Sequence, residues 1–327
     1  MRAAWFESFG EPKETMITGD IEKPTPGDGE VLVRIRASGV NPSDTKKRAG
    51  AFPNLLDNGY IIPHSDGAGV VEAVGTGVSS DRVGQRVWLY QAQYGRRFGT
   101  AAEYIAIDSA RAPELPDAAS YSVGAVLGIP VMTAHRCIFA DGPVDNQTIL
   151  ITGGAGRVGY YAIQWAKRAG ATVITTVSNE QDRQLCQSLG ADHVVNHREP
   201  DWSKQLLAAT GGGKVDRVVD VEFGANLSEV LDCIRIGGVI ATYSSMVVPE
   251  PALPFKRMMF MDLTIRMVLV YEMPEAAKQQ AVDDIRTVLD NNEFTHRIAH
   301  ELALADIDRA HELIEQGGFG GCVVVKV

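Results

Sequence analysis

The order of apolar and polar positions divides the chain into two kinds of segment. Up to about residue 120, short runs rich in β-branched residues are separated by Gly and Pro: VLVRIRASGV (31–40), GAGVVEAVG (67–75), RVWLY (86–90) and AAEYIAI (101–107). Runs of this kind bounded by turn residues predict strands, and together a β-rich domain. From Thr148 the pattern changes. TILIT (148–152) predicts a short buried strand, and RVGYYAIQWAKRAG (157–170) an amphipathic helix closed at Gly170 by the left-handed conformation glycine tolerates. ATVITTV and the helix EQDRQLCQSLG follow. HVVNH, VDRVVDV, GGVIATY and LTIRMVLV are further strands, with helices expected near 202–209 and 225–235. Apolar strands alternating with amphipathic helices predict a parallel sheet covered on both faces, a doubly wound α/β fold. Beyond about residue 270, the helices PEAAKQQAVDDIRTVLDNN and ADIDRAHELIEQG and the strand CVVVKV are expected to return to the first domain. The division expected is 1–120 with 271–327, and 121–270.

Composition narrows the function. A net charge of -10 repels phosphate backbones and argues against nucleic-acid binding. No apolar run reaches the roughly 18 residues of a membrane helix, and MRAAWFESFGEPKE turns polar too soon for a signal peptide. A cytoplasmic protein is the expectation. Cys137, Cys186, Cys233 and Cys322 show no ligand spacing, and nothing completes a metal signature around His296 and His300. Free thiols and no metal are expected.

The strongest local chemistry is Gly154-Ala155-Gly156-Arg157-Val158-Gly159, preceded by Gly153. It follows a predicted strand and opens a predicted helix, the context in which GxGxxG is informative. The glycines allow a tight turn and close approach to a pyrophosphate, and N–H groups at the helix start face its oxygens. A dinucleotide cofactor is expected. Where NAD enzymes place an acidic residue after the second strand, this chain has Thr176-Val177-Ser178-Asn179. Ser178 can bond a 2′-phosphate without repelling it, and Arg183 can supply charge; Glu180 and Asp182 are the competing ribose ligands. NADPH is the expected cofactor.

Ordered segments along the whole chain carry a family likeness: GVNPSDTKKRAG (39–50), SDGAGVVEAVGTGV (65–78), GIPVMTAHR (128–136), the glycine motif, GADHVVNHRE (190–199) and GGVIATY. The chain resembles the zinc-free, zeta-crystallin-like quinone oxidoreductases of the medium-chain dehydrogenase/reductase superfamily. The resemblance implies a GroES-like β-rich domain built from both chain ends, an inserted Rossmann domain, and an active site in the cleft between them. It implies hydride transfer from NADPH to quinones or α,β-unsaturated carbonyl compounds. Zinc relatives place Cys, His and Cys where this chain has Asn41, Ser65 and Ile129. His64 stands one position off, and one step along a strand turns a side chain to the opposite face.

By position, Asn41 is the candidate for the substrate and nicotinamide pocket, a donor to a carbonyl oxygen that gains charge, or else a turn-stabilising Asn before Pro42. The resemblance places Thr133 beside the nicotinamide and adds His197, with Arg198, near the 2′-phosphate. Tyr243, at the end of GGVIATY, joins the cofactor contacts. Lys46 replaces a family Tyr, and either attracts an anionic substrate or points into water. Cys322 replaces a family Lys after Gly321. His135 reads as packing. The stretch Tyr90–Gly99, with Arg96 and Arg97, reads equally as substrate mouth or surface loop. Two other functions stay open: reduction of another activated alkene, such as a haloacrylate or enoyl thioester, and a non-catalytic nucleotide- or RNA-binding role. The apolar edge strand LTIRMVLV predicts a homodimer.

Overall fold

The structure, a computed structural model, describes residues 1–327. The chain forms two compact units, Met1–Ile129 with Val282–Val327, and Pro130–Ala281. These boundaries lie about ten residues beyond the expected ones at both ends. The reason is local. The short helix Tyr121–Gly124 packs on strands of the first unit, and Ala125 and Val126 join a core cluster there with Ala37 and Val324. At the other end, one continuous helix, Glu275–Asp290, runs across the boundary.

In the first unit a six-stranded sheet is organised around Glu30–Val40. That strand pairs antiparallel with Asp66–Val74, with Tyr104–Asp108 and with the C-terminal strand Cys322–Lys326. Ile298–Ala303 and Arg86–Leu89 complete the sheet at its two edges. Val31, Val33, Ile35, Val71, Val87, Leu89, Ile105 and Ile107 are all buried in one cluster, so the β-branched runs of the sequence are this sheet's inner face. A hairpin of Arg2–Phe6 and Met16–Asp20 lies apart from the sheet. The helix Pro42–Arg48 has no counterpart in the strand-and-turn reading of this region. Its start is set by Pro42 just inside Asn41, and by Asp44, whose Oδ2 accepts the N–H of Asn41 at 2.9 Å.

The second unit holds a parallel six-stranded sheet. Its order is Thr264–Met267, Ile234–Thr242, Val215–Asp220, Thr148–Ile151, Thr172–Val177, His193–Asn196. Counted along the chain this is the 3-2-1-4-5-6 order, read from the opposite edge, of a doubly wound nucleotide-binding sheet. Leu150, Ile174, Val218 and Ile240 are fully buried in a cluster that includes Trp202, Leu206, Phe223 and Leu227. Strands buried on both faces explain the unbroken apolar runs. His135 packs against Phe139 and Trp165, with ring centroids 4.7 and 5.1 Å away.

An ion-pair network ties the edge strand Thr264–Met267 to the interior. Arg266 Nε lies 2.9 Å from both oxygens of Asp141, and Arg217 Nη2 donates to Asp141 Oδ2 at 2.6 Å. Arg217 is buried on a central strand and also donates to the carbonyl of Cys137 at 2.9 Å. Asp141→Ala leaves that buried guanidinium without its counter-charge, and is expected to lower unfolding free energy by about 3–5 kcal/mol. Urea unfolding measures this; a loss under about 1 kcal/mol would show that Arg217 needs no counter-ion.

Candidate functional site

The glycine motif lies where Thr148–Ile151 hands over to the helix Arg157–Arg168. Gly153 has φ +65° and its N–H donates to Thr176 Oγ1 at 3.0 Å, which anchors the turn to the neighbouring strand. A Cβ on Gly154 would stand 2.0 Å from Thr175 Oγ1, and one on Gly159 would stand 2.3 Å from the carbonyl oxygen of Gly153. Both positions therefore admit glycine alone. The helix is capped by Gly156, which is exposed and offers no side-chain oxygen to the first turn. Ala155 is buried, and Arg157 and Val158 are half-buried. The turn is thus an amide-lined cradle, at the strand ends where this fold binds ligands, and it suits a pyrophosphate.

The second strand ends beside this cradle. Val177 pairs with Asn196, and the N–H of His197 donates to the carbonyl of Val177 at 3.0 Å. The register therefore sets half-buried Ser178 alongside His197, with no carboxylate at either position. Partial burial, and then the charge of Arg198, lower the His197 pKa. Arg183 comes from the next helix, Glu180–Ser188. Its Nη1 donates to the carbonyl of Val194, and its Nε lies 3.3 Å from Glu180 Oε2. Glu180, one of the two competing ribose ligands, is thus paired with Arg183. Asp182, the other, accepts from the Asn179 side chain at 2.8 Å. Tyr243 follows the strand Ile234–Thr242; burial above all raises its phenol pKa well above the ordinary value. Thr133 is buried on the helix Met132–Phe139.

In the first unit the structure gathers charged groups around Asn41, and two of them, Lys47 and Asp66, are not among the candidates read from the sequence. Asn41, Asp44, Lys47 and Asp66 are all buried. Asn41 Nδ2 donates to Asp66 Oδ2 at 2.9 Å, and the N–H of Ile129 donates to the same oxygen at 2.8 Å. Asp66 Oδ1 has no hydrogen-bond partner. Burial, with Asp44 adding to it, pushes the Asp66 pKa up to about 8. Burial likewise raises Asp44 to about 6, against the pull of Lys47. The cation beside these buried carboxyls is Lys47, while Lys46, the candidate for attracting an anionic substrate, is half-buried. Its Nζ donates to the main-chain oxygen and to Oε1 of Gln93, both at 2.7 Å. The stretch Tyr90–Gly99 is accordingly anchored by buried Gln91 and Gln93. Arg96 donates to the carbonyl of Ala106, and Arg97 to that of Tyr60, so both guanidiniums brace their own unit.

Asn41, Ser65 and Ile129, where zinc relatives carry ligands, converge here around Asp66. The donor set does not fit zinc: an amide, a hydroxyl and an aliphatic side chain replace thiolates and imidazole. No three His, Cys, Asp or Glu side chains are grouped as metal ligands. His64 has φ +75° and lies outside any strand, so strand alternation is not what turns it away. Hydrogen bonding does. Its Nδ1 is 2.8 Å from Ser38 Oγ, and its Nε2 is 3.0 Å from His311 Nε2. One ring must donate and the other accept, so the two share no more than one proton on that contact. Burial lowers the His64 pKa to about 3 and that of His311 well below its usual value, which keeps both neutral.

A family model described as zinc-binding dehydrogenase matches residues 158–287, and one described as alcohol dehydrogenase GroES-like domain matches 27–117. The quinone oxidoreductase of Rattus norvegicus is 33% identical over 239 residues, 73% of this chain and 71% of that protein. A 2-haloacrylate reductase of Burkholderia sp is 32% identical over 243 residues, 74% of this chain and 72% of that protein. The structure of Escherichia coli quinone oxidoreductase complexed with NADPH superposes with a TM-score of 0.88 at 25% identity, covering 100% of both chains.

The buried carboxyl makes a signed prediction about stability. An unfolded Asp ionises near 3.8, whereas Asp66 in the folded chain holds its proton to about 8. Between these values the native state binds the extra proton, so this group's contribution to stability falls as pH rises. Asp66→Asn, which cannot ionise, should gain stability relative to wild type steadily from about pH 4 to about pH 8. Chemical unfolding of both proteins across that range tests it; parallel curves would mean that Asp66 ionises in the native state as it does in water.

Proposed function

Since the chain belongs to the quinone oxidoreductase branch of the medium-chain dehydrogenase/reductase superfamily, we propose that it is a zinc-independent, NADPH-dependent reductase of quinones or α,β-unsaturated carbonyl compounds. The observation that carries this reading is the glycine-lined turn at Gly153–Gly159, whose walls leave no room for a Cβ at Gly154 or Gly159. Gly153, Gly154, Ala155, Gly156, Arg157, Val158 and Gly159 would hold the pyrophosphate. Ser178, Arg183 and His197 would take the 2′-phosphate, and Tyr243 and Thr133 the nicotinamide half. Bound NADPH supplies the hydride. Asn41, whose side chain lies between Asp66 and Asp44, would turn an amide hydrogen to a substrate oxygen as it gains charge. Lys46 would favour substrates with negative charge.

The experiment is NADPH and NADH oxidation against a panel of quinones, enones, haloacrylates and enoyl thioesters. Turnover of a quinone or enone with NADPH is expected. No turnover with any acceptor sinks the enzymatic reading and leaves nucleotide binding alone. The 2-haloacrylate reductase relative supports a second reading, an activated alkene bearing a carboxylate. Preference for haloacrylates over quinones in the same panel would establish it.

Cofactor choice has its own test. Arg183 is mostly enclosed, with 31% of its side chain exposed, so a phosphate contact there is only partly screened. Arg183→Ala is expected to weaken NADPH binding about tenfold, the loss of one charge-assisted bond, and to leave NADH binding nearly unchanged. Equal loss of both nucleotides would make Arg183 a brace for Val194 and nothing more.

A homodimer belongs to the same reading. Thr264–Met267 is the outermost strand of its sheet, and Met267, Leu269, Phe255 and Phe260 are each more than half exposed on it or beside it. An apolar sheet edge tends to pair with its own copy. Light scattering at micromolar concentration should give twice the chain mass, and Met267→Lys should shift it toward one. A wild-type monomer would refute this.

A further inference from the structure

We propose that Asp66 is a positioning residue for the reductase reaction: by accepting one amide hydrogen of Asn41 and the N–H of Ile129 on a single carboxyl oxygen, it fixes the face that Asn41 presents to substrate. The inference rests on the proposed role of Asn41 as donor to the reacting oxygen.

A side-chain amide has two ends of nearly equal shape, and only its hydrogen bonds decide which way it faces. The acceptor Asp66 Oδ2, 2.9 Å from Asn41 Nδ2, makes that decision. The reversed amide would set its oxygen against Asp66 and turn a second oxygen, rather than a hydrogen, to the substrate. The N–H of Ile129 at 2.8 Å holds the carboxyl in turn, so its plane is not free to swing. Asn41 is also held through its main chain, whose N–H is bound by Asp44 Oδ2. Asp44 also engages the Asn41 side chain; Asp66 adds the acceptor that takes Nδ2 at 2.9 Å and so sets which end of the amide faces it.

A purely structural role explains the arrangement poorly. Asp66 is fully buried, and Oδ1 has no partner. Room for it depends on Gly128, where a Cβ would stand 2.1 Å from Oδ1. A buried carboxyl with an unpartnered oxygen destabilises the fold. Because Oδ2 already accepts two N–H groups, a proton on Asp66 belongs on Oδ1 and leaves the hold on Asn41 intact. The neutral acid is the useful form, since an ionised carboxylate beside Nδ2 would oppose charge growing on the substrate oxygen. The groups facing Asp66 are Asp44 and Lys47 from the helix Pro42–Arg48, which act on its charge in opposite senses. Behind it, Thr100 donates to its carbonyl at 2.6 Å and leads through Ser38 to His64 and His311, both neutral.

The test uses full-length Asn41→Ala, Asp66→Ala, the double variant and Asp66→Asn, with NADPH and a quinone that the wild type reduces. Asn41→Ala and Asp66→Ala are each expected to lower kcat about tenfold or more, with KM for quinone changed far less. The double variant should be no worse than the poorer single by more than about twofold, because the two act as one unit. NADPH affinity, read by fluorescence titration, should stay within about twofold in all variants, since no nucleotide contact is removed. Wild-type kcat is expected to fall above about pH 8, as Asp66 ionises, and Asp66→Asn should keep most activity at neutral pH and lack that fall. Multiplicative losses in the double variant would overturn the proposal. If Asp66→Ala does not fold, the Asp66→Asn profile decides, and an unchanged fall above that pH overturns it. Unchanged kcat in Asn41→Ala would instead overturn the role of Asn41 itself, a different result.

Discussion

One carboxyl oxygen, Asp66 Oδ2, joins three segments of the first unit that are far apart in sequence. It takes the side chain at the start of the helix Pro42–Arg48 and the main chain at Ile129, from its own place at the head of the strand Asp66–Val74. Its burial sets the conditions for its neighbours. Lys47 is drawn inside, where burial lowers its pKa against the pull of Asp44 and Asp66. Lys47 then needs oxygen partners and finds them on Gln93, which fixes the stretch after Tyr90. Asp44 caps the same helix and raises Asp66 further. Removing any one member would leave the others buried without compensation, the condition that makes polar clusters cooperative.

The second unit solves a different problem with neutral groups. Its strands are apolar on both faces, so packing alone fixes their order. Its glycine-lined turn offers backbone amides, a surface that suits a pyrophosphate without a cation fixed in the turn's own walls. Where fixed charges do enter its interior, at Arg217, Asp141 and Arg266, they close on one another and serve the edge strand. The candidate cradle of the second unit is thus built of backbone amides, whereas the buried cluster of the first is built of ionisable side chains.

This division explains what the sequence could and could not reveal. The Rossmann strands and the glycine turn carry their signals locally, within a strand, a turn and the next helix, so they were readable almost to the residue. Pro42–Arg48 was not, because a short run of polar residues has no apolar period. Without that helix the sequence does not show that Lys47 is buried while its neighbour Lys46 is half-buried, since the two differ only in the side of the helix they occupy. His64 pairs with a residue 247 positions away, and Asp66 with one 63 away; no spacing rule reaches that far. The direction of Arg183, toward Val194 and Glu180, likewise depends on the neighbouring strand.

The zinc positions show the same point from the side of chemistry. Absence of Cys and His from Asn41, Ser65 and Ile129 could be read directly, but it said nothing of what stands in their place. The fold brings the Asn41 side chain and the main chain of Ile129 together on Asp66, the residue next to Ser65. A metal ion at such a point would polarise a substrate oxygen by charge. An oriented amide held by a neutral carboxyl can do so by hydrogen bonding, with a weaker field but no ion to desolvate. At this point of the fold the Asn41 amide and the main-chain N–H of Ile129 close on one carboxyl oxygen, so the geometry offers hydrogen bonds where a metal site would offer charge.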